Sequence, residues 1–225
     1  MDSFPDDDPT RLLAALIDAT LLKPDATARQ VTELCEHAVA HGTYAVCVSP
    51  NRVRLAVTTL QRLGADLVVA AVAGFPSGAH HPAVTAEEAR RAVDEGATEI
   101  DMVIDIGAAA DGDWASVAAG ISDIRAVVPG VLKVILETAL LETDGIIEGC
   151  SAAEAAGADF VKTSTGFHPA GGASVEAVRT MRRTVGDRLG VKASGGIRSR
   201  ADALTFADAG ASRLGLSALA AVLGG

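Results

Sequence analysis

The feature of this sequence that most constrains its fold is a regular alternation of two kinds of segment. Short runs of β-branched or apolar residues are followed by Ala-rich amphipathic stretches from one end of the chain to the other. This alternation is typical of βαβ units, which form a parallel sheet. Four helical stretches end in a Gly-Ala pair just before the next apolar run, at Gly64, Gly96, Gly157 and Gly210. Glycine at these points can adopt the left-handed conformation that ends a helix.

Eight such apolar runs occur along the chain. We predict strands over residues 16–19, 44–48, 67–72, 99–103, 132–136, 160–162, 189–193 and 212–216. Eight strands separated by helices in 225 residues fit a closed barrel better than an open doubly wound sheet. We therefore predict an α/β fold, a single-domain TIM (β/α)8 barrel over residues 11–225, preceded by an acidic, disordered tail at residues 1–10.

Two threonines are predicted to precede helices. Thr27 is followed three residues later by Gln30, and Thr85 is followed at the same distance by Glu88. This spacing is that of a capping box, in which the two residues satisfy each other's backbone N–H groups. We therefore predict that one helix begins after Thr27 and another after Thr85.

The composition excludes several classes of partner. With a formal net charge of −10 and an aromatic content of 3%, the chain is poorly suited to nucleic acid, because phosphates would be repelled and stacking surfaces are scarce. No apolar run approaches the ~18 residues that span a bilayer. The acidic N-terminus also lacks the pattern of a signal peptide. We expect a soluble protein with no membrane partner and no nucleic-acid partner.

The cysteines and histidines indicate neither a disulfide nor a metal site. Cys35, Cys47 and Cys150 are odd in number and widely spaced, which fits a reducing compartment. His37 and His41 have the spacing of two ligands on one helix face, but no acid or cysteine joins them in a zinc-binding pattern. The sequence also lacks the glycine-rich nucleotide motifs. We therefore expect a cytoplasmic protein that uses no metal and no other cofactor.

Among the charged residues in the predicted strands, three stand out as candidates for chemistry. Asp101 interrupts the fourth strand, Lys162 closes the sixth and Lys192 lies within the seventh. Charged side chains in apolar strands are costly to bury unless they are paired. Since the active site of such a barrel lies at the carboxyl ends of its strands, these three are the candidate catalytic residues.

Two lysines and a carboxylate in one barrel mouth suit chemistry through an imine. A free lysine, with a pKa of about 10.4, is almost wholly protonated at pH 7 and therefore a poor nucleophile. A second ammonium ~6 Å away disfavours protonation by roughly 3 kcal/mol at an effective dielectric constant of ~20, or about two pKa units. The alternatives are that each lysine is a strand-end residue reaching solvent and that Asp101 is a structural partner. The residues alone do not say which lysine is the nucleophile.

Glycine-rich segments follow the last three predicted strands. They are Thr163-Ser164-Thr165-Gly166, Ser194-Gly195-Gly196 and Gly215-Leu216-Ser217. Loops after the seventh and eighth strands are the usual phosphate site of a (β/α)8 barrel. Ser217 is also predicted to open a short helix whose positive end favours an anion. The alternative is that each segment is an ordinary turn.

Six segments carry the pattern of a known family. In chain order they are Ile17-Asp18-Ala19-Thr20-Leu21-Leu22-Lys23-Pro24, Gly74-Phe75-Pro76-Ser77-Gly78-Ala79, Glu99-Ile100-Asp101-Met102-Val103-Ile104, Leu132-Lys133-Val134-Ile135-Leu136-Glu137-Thr138, Phe160-Val161-Lys162-Thr163-Ser164-Thr165-Gly166 and Val191-Lys192-Ala193-Ser194-Gly195-Gly196-Ile197-Arg198. Together they resemble the 2-deoxyribose-5-phosphate aldolase family. The match extends from Ile17 to Ser217, nearly the whole chain.

The resemblance implies reversible aldol cleavage of 2-deoxyribose 5-phosphate to acetaldehyde and glyceraldehyde 3-phosphate, in deoxyribose phosphate catabolism and without a metal. It implies that Lys162 forms the Schiff base, that Lys192 lowers the pKa of Lys162, and that Asp101 works with a water in proton transfer. The residues implied to line the substrate pocket or lie close to it are Asp18, Thr20, Cys47 and Thr165, with Gly166, Gly195, Gly196, Gly215 and Ser217 implied to hold the phosphate.

The sequence departs from the family pattern at several positions. Ala19 stands where histidine is usual, and Asp105 where asparagine is common. The phosphate loop reads Gly215-Leu216-Ser217-Ala218-Leu219 in place of Gly-Thr-Ser-Ser-Gly. Some family members carry a C-terminal tyrosine that reaches the active site, whereas the only tyrosine of this sequence is Tyr44. Two alternatives stay open: a different Schiff-base or phosphate-binding barrel enzyme acting on another sugar phosphate, and a non-catalytic sugar-phosphate binder. The sequence does not give the oligomeric state, and a homodimer is one assembly that it allows.

Overall fold

The strands close into a barrel. A computed structural model of the chain describes residues 8–224. Its strands are β1 (Ile17–Leu21), β2 (Ala45–Val48), β3 (Val68–Ala73), β4 (Glu99–Val103), β5 (Val131–Ile135), β6 (Phe160–Lys162), β7 (Gly190–Ser194) and β8 (Arg213–Leu216). All neighbours pair in parallel in chain order, and β8 pairs with β1. The predicted fold is confirmed, and each predicted strand overlaps its observed counterpart.

Helices surround the barrel. They are α1 (Pro9–Ala14), α2 (Ala28–His41), α3 (Val53–Leu63), α4 (Pro82–Asp94), α5 (Ile106–Ala110), α6 (Trp114–Arg125), α7 (Thr143–Ala155), α8 (Val175–Val185), α9 (Arg200–Asp208) and α10 (Leu219–Leu223), with short 3-10 helices at Pro50–Arg52 and Thr138–Leu140. The main hydrophobic core lies between the helices and the outer face of the strands, and it includes Ile17, Ile100 and Leu214. Burying one such side chain contributes roughly 1.5–3 kcal/mol. Because side chains alternate along a strand, the intervening residues point into the barrel.

The helix ends test several local predictions. Thr27 and Gln30 form the predicted capping box: the Thr27 backbone N–H donates to Gln30 Oε1 at 2.9 Å and the Gln30 backbone N–H donates to Thr27 Oγ1 at 3.3 Å. The four glycines named above all have positive φ, as predicted. The predicted box at Thr85 and Glu88 is wrong, because α4 begins earlier, at Pro82. Proline fits a first helical position because it needs no N–H donor there.

The predicted N-terminal tail lies mostly outside the described residues. Of the range 1–10, the structure describes only the last three residues. Asp8 accepts a hydrogen bond from the Thr10 backbone N–H at 2.8 Å, and α1 begins at Pro9. Helix α1 therefore already includes residues 9 and 10, which the sequence analysis assigned to the tail, because an aspartate cap and a proline favour a helix start.

Candidate active site

Buried charged side chains meet inside the barrel. Six strands contribute them: Asp18 from β1, Glu99 and Asp101 from β4, Lys133 from β5, Lys162 from β6, Lys192 from β7 and Arg213 from β8. All seven are buried, and the most exposed of them, Arg213, has a relative exposure of 6%. The chain contains four lysines, and three of them belong to this cluster. Ion pairing is therefore what makes their burial tolerable.

Asp101 lies at the centre of the cluster. Its Oδ1 accepts a hydrogen bond from Lys133 Nζ at 2.8 Å. Its Oδ2 accepts from Lys162 Nζ and from Lys192 Nζ, both at 2.7 Å. The register of β6 and β7, which sets Lys162 opposite Lys192, explains why two lysine Nζ atoms reach one oxygen. The structure therefore brings the three predicted catalytic residues into direct contact.

Asp18 and Glu99 complete the network. Asp18 accepts hydrogen bonds from Lys192 Nζ and, at 3.0 Å, from Arg213. Glu99 Oε2 lies 2.5 Å from Lys133 Nζ and 3.3 Å from the Arg213 guanidinium. Each carboxylate thus has at least two cationic neighbours.

Arg213 closes the amino-terminal end of the barrel. Its guanidinium carbon lies 3.5 Å from the centre of the Tyr44 ring and 5.3 Å from the centre of the Phe160 ring. A Cβ added at Gly190 would lie 2.1 Å from the Phe160 ring, so glycine is required for this packing. The charged interior therefore faces the opposite end, where the strands terminate.

The three buried lysines differ in their pKa. Burial lowers the pKa of Lys162, and the charge of Lys192 lowers it further, while Asp101 offsets only part of the effect. Burial also opposes the charged form of Lys192, yet Asp101 and Asp18 outweigh it and raise the pKa of Lys192 above its ordinary value. Lys133 behaves like Lys192, because its carboxylate neighbours outweigh burial and raise its pKa. Lys162 is thus the cluster lysine most easily deprotonated.

The carboxylates respond in the opposite direction. Burial favours the neutral form of Asp101, but Lys133, Lys162 and Lys192 hold its pKa well below the ordinary value. The pKa of Asp18 is lowered in the same way, chiefly by Lys192 against the effect of burial. Both groups are therefore carboxylates at neutral pH.

Cys47 lies on β2 close to this cluster and is fully buried. Its neighbours in the small apolar cluster inside the barrel include Ala70 and Val72. Burial raises the pKa of the Cys47 thiol to about 11, and the Asp101 charge acts in the same direction. Cys47 is therefore a neutral apolar neighbour of the lysines.

A cavity of about 580 Å³ opens at the carboxyl ends of the strands. It gathers seven of the predicted substrate residues, namely Thr20, Thr165, Gly166, Gly195, Gly196, Gly215 and Ser217. Asp18 and Cys47 lie deeper, inside the barrel. Gly215 lies between the cavity and the buried lysines. It lines the cavity, and a Cβ added to it would lie 3.0 Å from Lys192 Cε. Lys23 and Arg198 also line the cavity, so two cationic side chains stand at its wall.

The loop after β6 is fixed by a buried glutamate that the sequence analysis did not identify as functional. Glu137 is fully buried and adopts a left-handed conformation with φ 55°. It accepts a hydrogen bond from Thr165 Oγ1 at 2.5 Å, and the Thr165 backbone N–H lies 3.3 Å from each carboxylate oxygen. Thr165 Oγ1 in turn accepts from the Phe167 backbone N–H at 3.1 Å. Glu137 therefore orders one wall of the cavity.

The predicted helix start at Ser217 is wrong. The N-cap of α10 is Ala218, and no side chain caps it. Ser217 is exposed and lies in the preceding turn. Since α10 is only five residues long, any anion site here depends on the loops and the nearby side chains more than on a helix dipole.

The sequence analysis also missed Lys133, Glu99 and Arg213 as members of the site. The signal that identified Asp101 applies to all three, because each is a charged residue in an apolar strand. Nothing in the sequence distinguished them from strand-end residues that reach solvent. The structure shows them at inward-facing positions.

The described residues show neither a metal cluster nor a membrane span. Between residues 8 and 224, no three His, Cys, Asp or Glu side chains are grouped so that they could hold a metal ion. Within the same range, no helix has the length and apolarity needed to cross a bilayer.

The fold and the site together describe a (β/α)8 barrel with a deprotonatable lysine beside a second lysine and a carboxylate, an arrangement suited to an aldolase that works through an imine. The pattern of the DeoC/LacD family aldolases matches residues 12–223. The chain belongs to the DeoC/LacD family of aldolases.

Individual relatives agree with this assignment. A deoxyribose-phosphate aldolase of Mycobacterium avium is 59% identical over 223 residues, which cover 96% of this chain and 98% of the relative. A Coccidioides immitis protein of known crystal structure has 39% sequence identity to this chain. The two structures superpose with a TM-score of 0.91 over 98% of this chain and 87% of that one. A tetrameric deoxyribose phosphate aldolase of Aeropyrum pernix is 33% identical with a TM-score of 0.88, covering 95% and 90%. The family resemblance seen in the sequence is confirmed.

Proposed function

We propose that this protein cleaves 2-deoxyribose 5-phosphate reversibly into acetaldehyde and glyceraldehyde 3-phosphate, with Lys162 as the Schiff-base residue. The observation that carries the assignment of the nucleophile is that Lys162 Nζ pairs with one carboxylate, whereas Lys192 pairs with two and Lys133 with three. The pKa directions agree, because that of Lys162 is lowered and those of the other two are raised. A neutral amine is the nucleophile in imine formation. Family membership and the deoxyribose-phosphate aldolase relative support the choice of reaction.

The reaction starts when Lys162 Nζ adds to the aldehyde carbon C1 of the open-chain sugar. Loss of water from the adduct leaves a protonated imine, which can accept an electron pair from the neighbouring bond. A water held by Asp101 takes the proton of the C3 hydroxyl. The C2–C3 bond then breaks, its electron pair forms an enamine on Lys162, and C3 becomes the aldehyde carbon of glyceraldehyde 3-phosphate. A proton returned to C2 and hydrolysis of the imine release acetaldehyde and free Lys162.

Asp101 and Lys192 act together in these proton transfers. In the free enzyme Asp101 accepts hydrogen bonds from three lysine Nζ atoms, and the positive charge around it holds its pKa low, so it is a weak base by itself. When Lys162 becomes an imine, its nitrogen keeps at most one hydrogen, and its hold on Asp101 weakens. Lys192, which shares Asp101 Oδ2, remains charged and keeps the carboxylate oriented.

The cavity at the barrel mouth is the proposed phosphate site. Backbone N–H groups next to Gly166, Gly195 and Gly196 can approach phosphate oxygens closely, since no side chain intervenes. Lys23 and Arg198 supply positive charge at the same cavity in a chain whose net charge is −10. These two cations compensate for the hydroxyl groups that the loop Gly215-Leu216-Ser217-Ala218-Leu219 lacks.

We also propose a cytoplasmic location and a homodimeric assembly. Three buried cysteines without a disulfide fit a reducing compartment. Light scattering should give a molar mass in solution that is twice the mass of the chain. The mass of a monomer or of a tetramer would contradict the proposed dimer.

Trapping with borohydride tests the assignment of the nucleophile. Incubation with acetaldehyde and cyanoborohydride should convert the imine into a stable secondary amine, and peptide mass analysis should place the ethyl group on Lys162. Lys162→Met is the matched control and should remain unlabelled at the other cluster lysines. A label confined to Lys192 or Lys133 in the parent protein would overturn the proposal.

A further inference from the structure

We propose that Lys133 is a positioning residue that sets the number of protons held by the buried cluster, and thereby keeps Lys162 neutral. Lys133 takes no part in the steps described above. The inference rests on the proposed function, because Lys162 must lose its proton in order to attack a carbonyl group.

The geometry of Lys133 sets it apart from the other cluster cations. Its Nζ lies 2.8 Å from Asp101 Oδ1, 2.5 Å from Glu99 Oε2 and 3.9 Å from Asp18 Oδ2. Its side chain is completely buried. Lys133 therefore contacts all three carboxylates of the barrel interior, on two different strands.

The charges of the cluster balance only when one lysine is neutral. Three carboxylates, Asp18, Glu99 and Asp101, face four basic groups. Lys133, Lys192 and Arg213 neutralise the carboxylates one for one, so a proton on Lys162 would leave an excess positive charge. An uncompensated charge in a buried site costs several kcal/mol. The balanced state is the one with a neutral Lys162.

The contacts decide which lysine gives up its proton. Lys133 has three carboxylate neighbours, and Lys192 has two, Asp18 and Asp101. Lys162 pairs with Asp101 alone. Arginine does not deprotonate in proteins, so Arg213 keeps its charge in every state. The lysine with the fewest carboxylate neighbours is therefore the one that becomes neutral.

Other polar groups near the cluster leave this balance unchanged. Cys47 faces the lysines from β2, and its thiol is neutral at pH 7 because burial raises its pKa to about 11. Tyr44 faces Arg213 through its ring. Glu137 is a further buried carboxylate, at the end of β5, where it accepts its hydrogen bonds from Thr165. Removal of Lys133 would consequently leave a net negative interior, and a proton on Lys162 would restore neutrality.

The experiment compares two single variants of opposite charge and their combination. Lys133→Met removes one positive charge, Glu99→Gln removes one negative charge, and the double variant removes both. For each, the rate of cyanoborohydride trapping with acetaldehyde is followed from pH 5 to 10, and the labelled residue is located by mass. Arg29→Met, a change at an exposed residue of α2, removes a positive charge far from the cluster and serves as the control.

The expected shifts have opposite signs. At effective dielectric constants near 20, removal of a charge ~6 Å from Lys162 moves its titration by about one to two pH units. The midpoint of trapping should move to higher pH in Lys133→Met and to lower pH in Glu99→Gln. It should return close to the parent value in the double variant and stay unchanged in Arg29→Met. A purely structural role would give no such reversal of sign.

The outcomes separate this inference from the proposed function. A label on a residue other than Lys162 in the parent protein overturns the proposed function. A label on Lys162 with the same midpoint in both single variants, or with shifts of the same sign, overturns the role of Lys133. If Lys133→Met does not fold, as judged by circular dichroism, comparison of the double variant with Glu99→Gln decides. A midpoint that returns toward the parent value in the double variant supports the role of Lys133, and a midpoint equal to that of Glu99→Gln overturns it.

Discussion

Substitution of Lys192 by methionine tests how the cluster tunes its nucleophile. Lys162 Nζ and Lys192 Nζ each lie 2.7 Å from the same oxygen of Asp101. Two ammonium groups at a separation of ~5 Å and an effective dielectric constant of ~20 repel each other by roughly 3 kcal/mol, which is about two pKa units. Methionine removes the charge and keeps an apolar stem of similar length. The pKa of Lys162 should therefore rise by about one to two units in Lys192→Met.

The consequence is a loss of activity that depends on pH. A rise of that size reduces the neutral fraction of Lys162 at pH 7 by ~10- to 100-fold, and imine formation should slow by the same factor. The assay is the rate of deoxyribose 5-phosphate cleavage, measured from pH 6 to 10. Activity of Lys192→Met should recover partly as the pH rises, whereas Lys162→Met should be inactive at every pH. A pH profile identical to that of the parent protein would show that Lys192 does not tune Lys162 and acts through direct contact with the substrate.

Three further predictions follow from the structure. Activity should survive exhaustive treatment with EDTA, since the proposed steps use only side chains and water; loss of activity that zinc restores would reveal a metal requirement. Gly190→Ala should lower stability by about 1–3 kcal/mol, because the added Cβ would lie 2.1 Å from the Phe160 ring; an unchanged melting temperature in calorimetry would contradict this packing. Asp18 and Asp101 have lowered pKa values, so their contribution to stability is present above pH ~4 and is lost as the pH falls through their folded-state values. Urea unfolding at pH 6 and at pH 3 measures this loss, and equal free energies of unfolding would contradict it.

The fold was predictable because the strands carry a strong local signal. Each has an apolar outer face that packs against helices, and glycines such as Gly64 and Gly157 mark the helix ends between strands. The parallel order and the closure of β8 onto β1 then follow from the number of units. Asp101, Lys162 and Lys192 were predicted because a charged side chain in an apolar strand is costly to bury unless it is paired. The same signal applied to other charged strand residues and did not rank them.

The rest of the site depends on contacts between distant residues. Arg213 reads as an ordinary charged residue at a strand start, and its role is visible only when Tyr44 and Phe160 are seen to enclose it. Nothing in the sequence indicates that Glu137 has a left-handed backbone conformation. In the structure its carboxylate accepts a hydrogen bond from Thr165, which lies in the loop after β6. Glu88 satisfies the Gly74 backbone N–H at 2.8 Å instead of capping its own helix. In each case a partner far along the chain decides the role.

The distribution of basic residues over the molecule has a consequence for an enzyme that releases an aldehyde. Three of the four lysine side chains are enclosed in the barrel, and the fourth, Lys23, stands at the cavity mouth. The other 15 basic side chains are arginines, whose guanidinium groups stay protonated. Acetaldehyde that accumulates around the protein therefore meets a surface that offers it almost no side-chain amine for unproductive imines. The same choice of arginine over lysine leaves the outside of the molecule largely unreactive toward amine-directed cross-linkers.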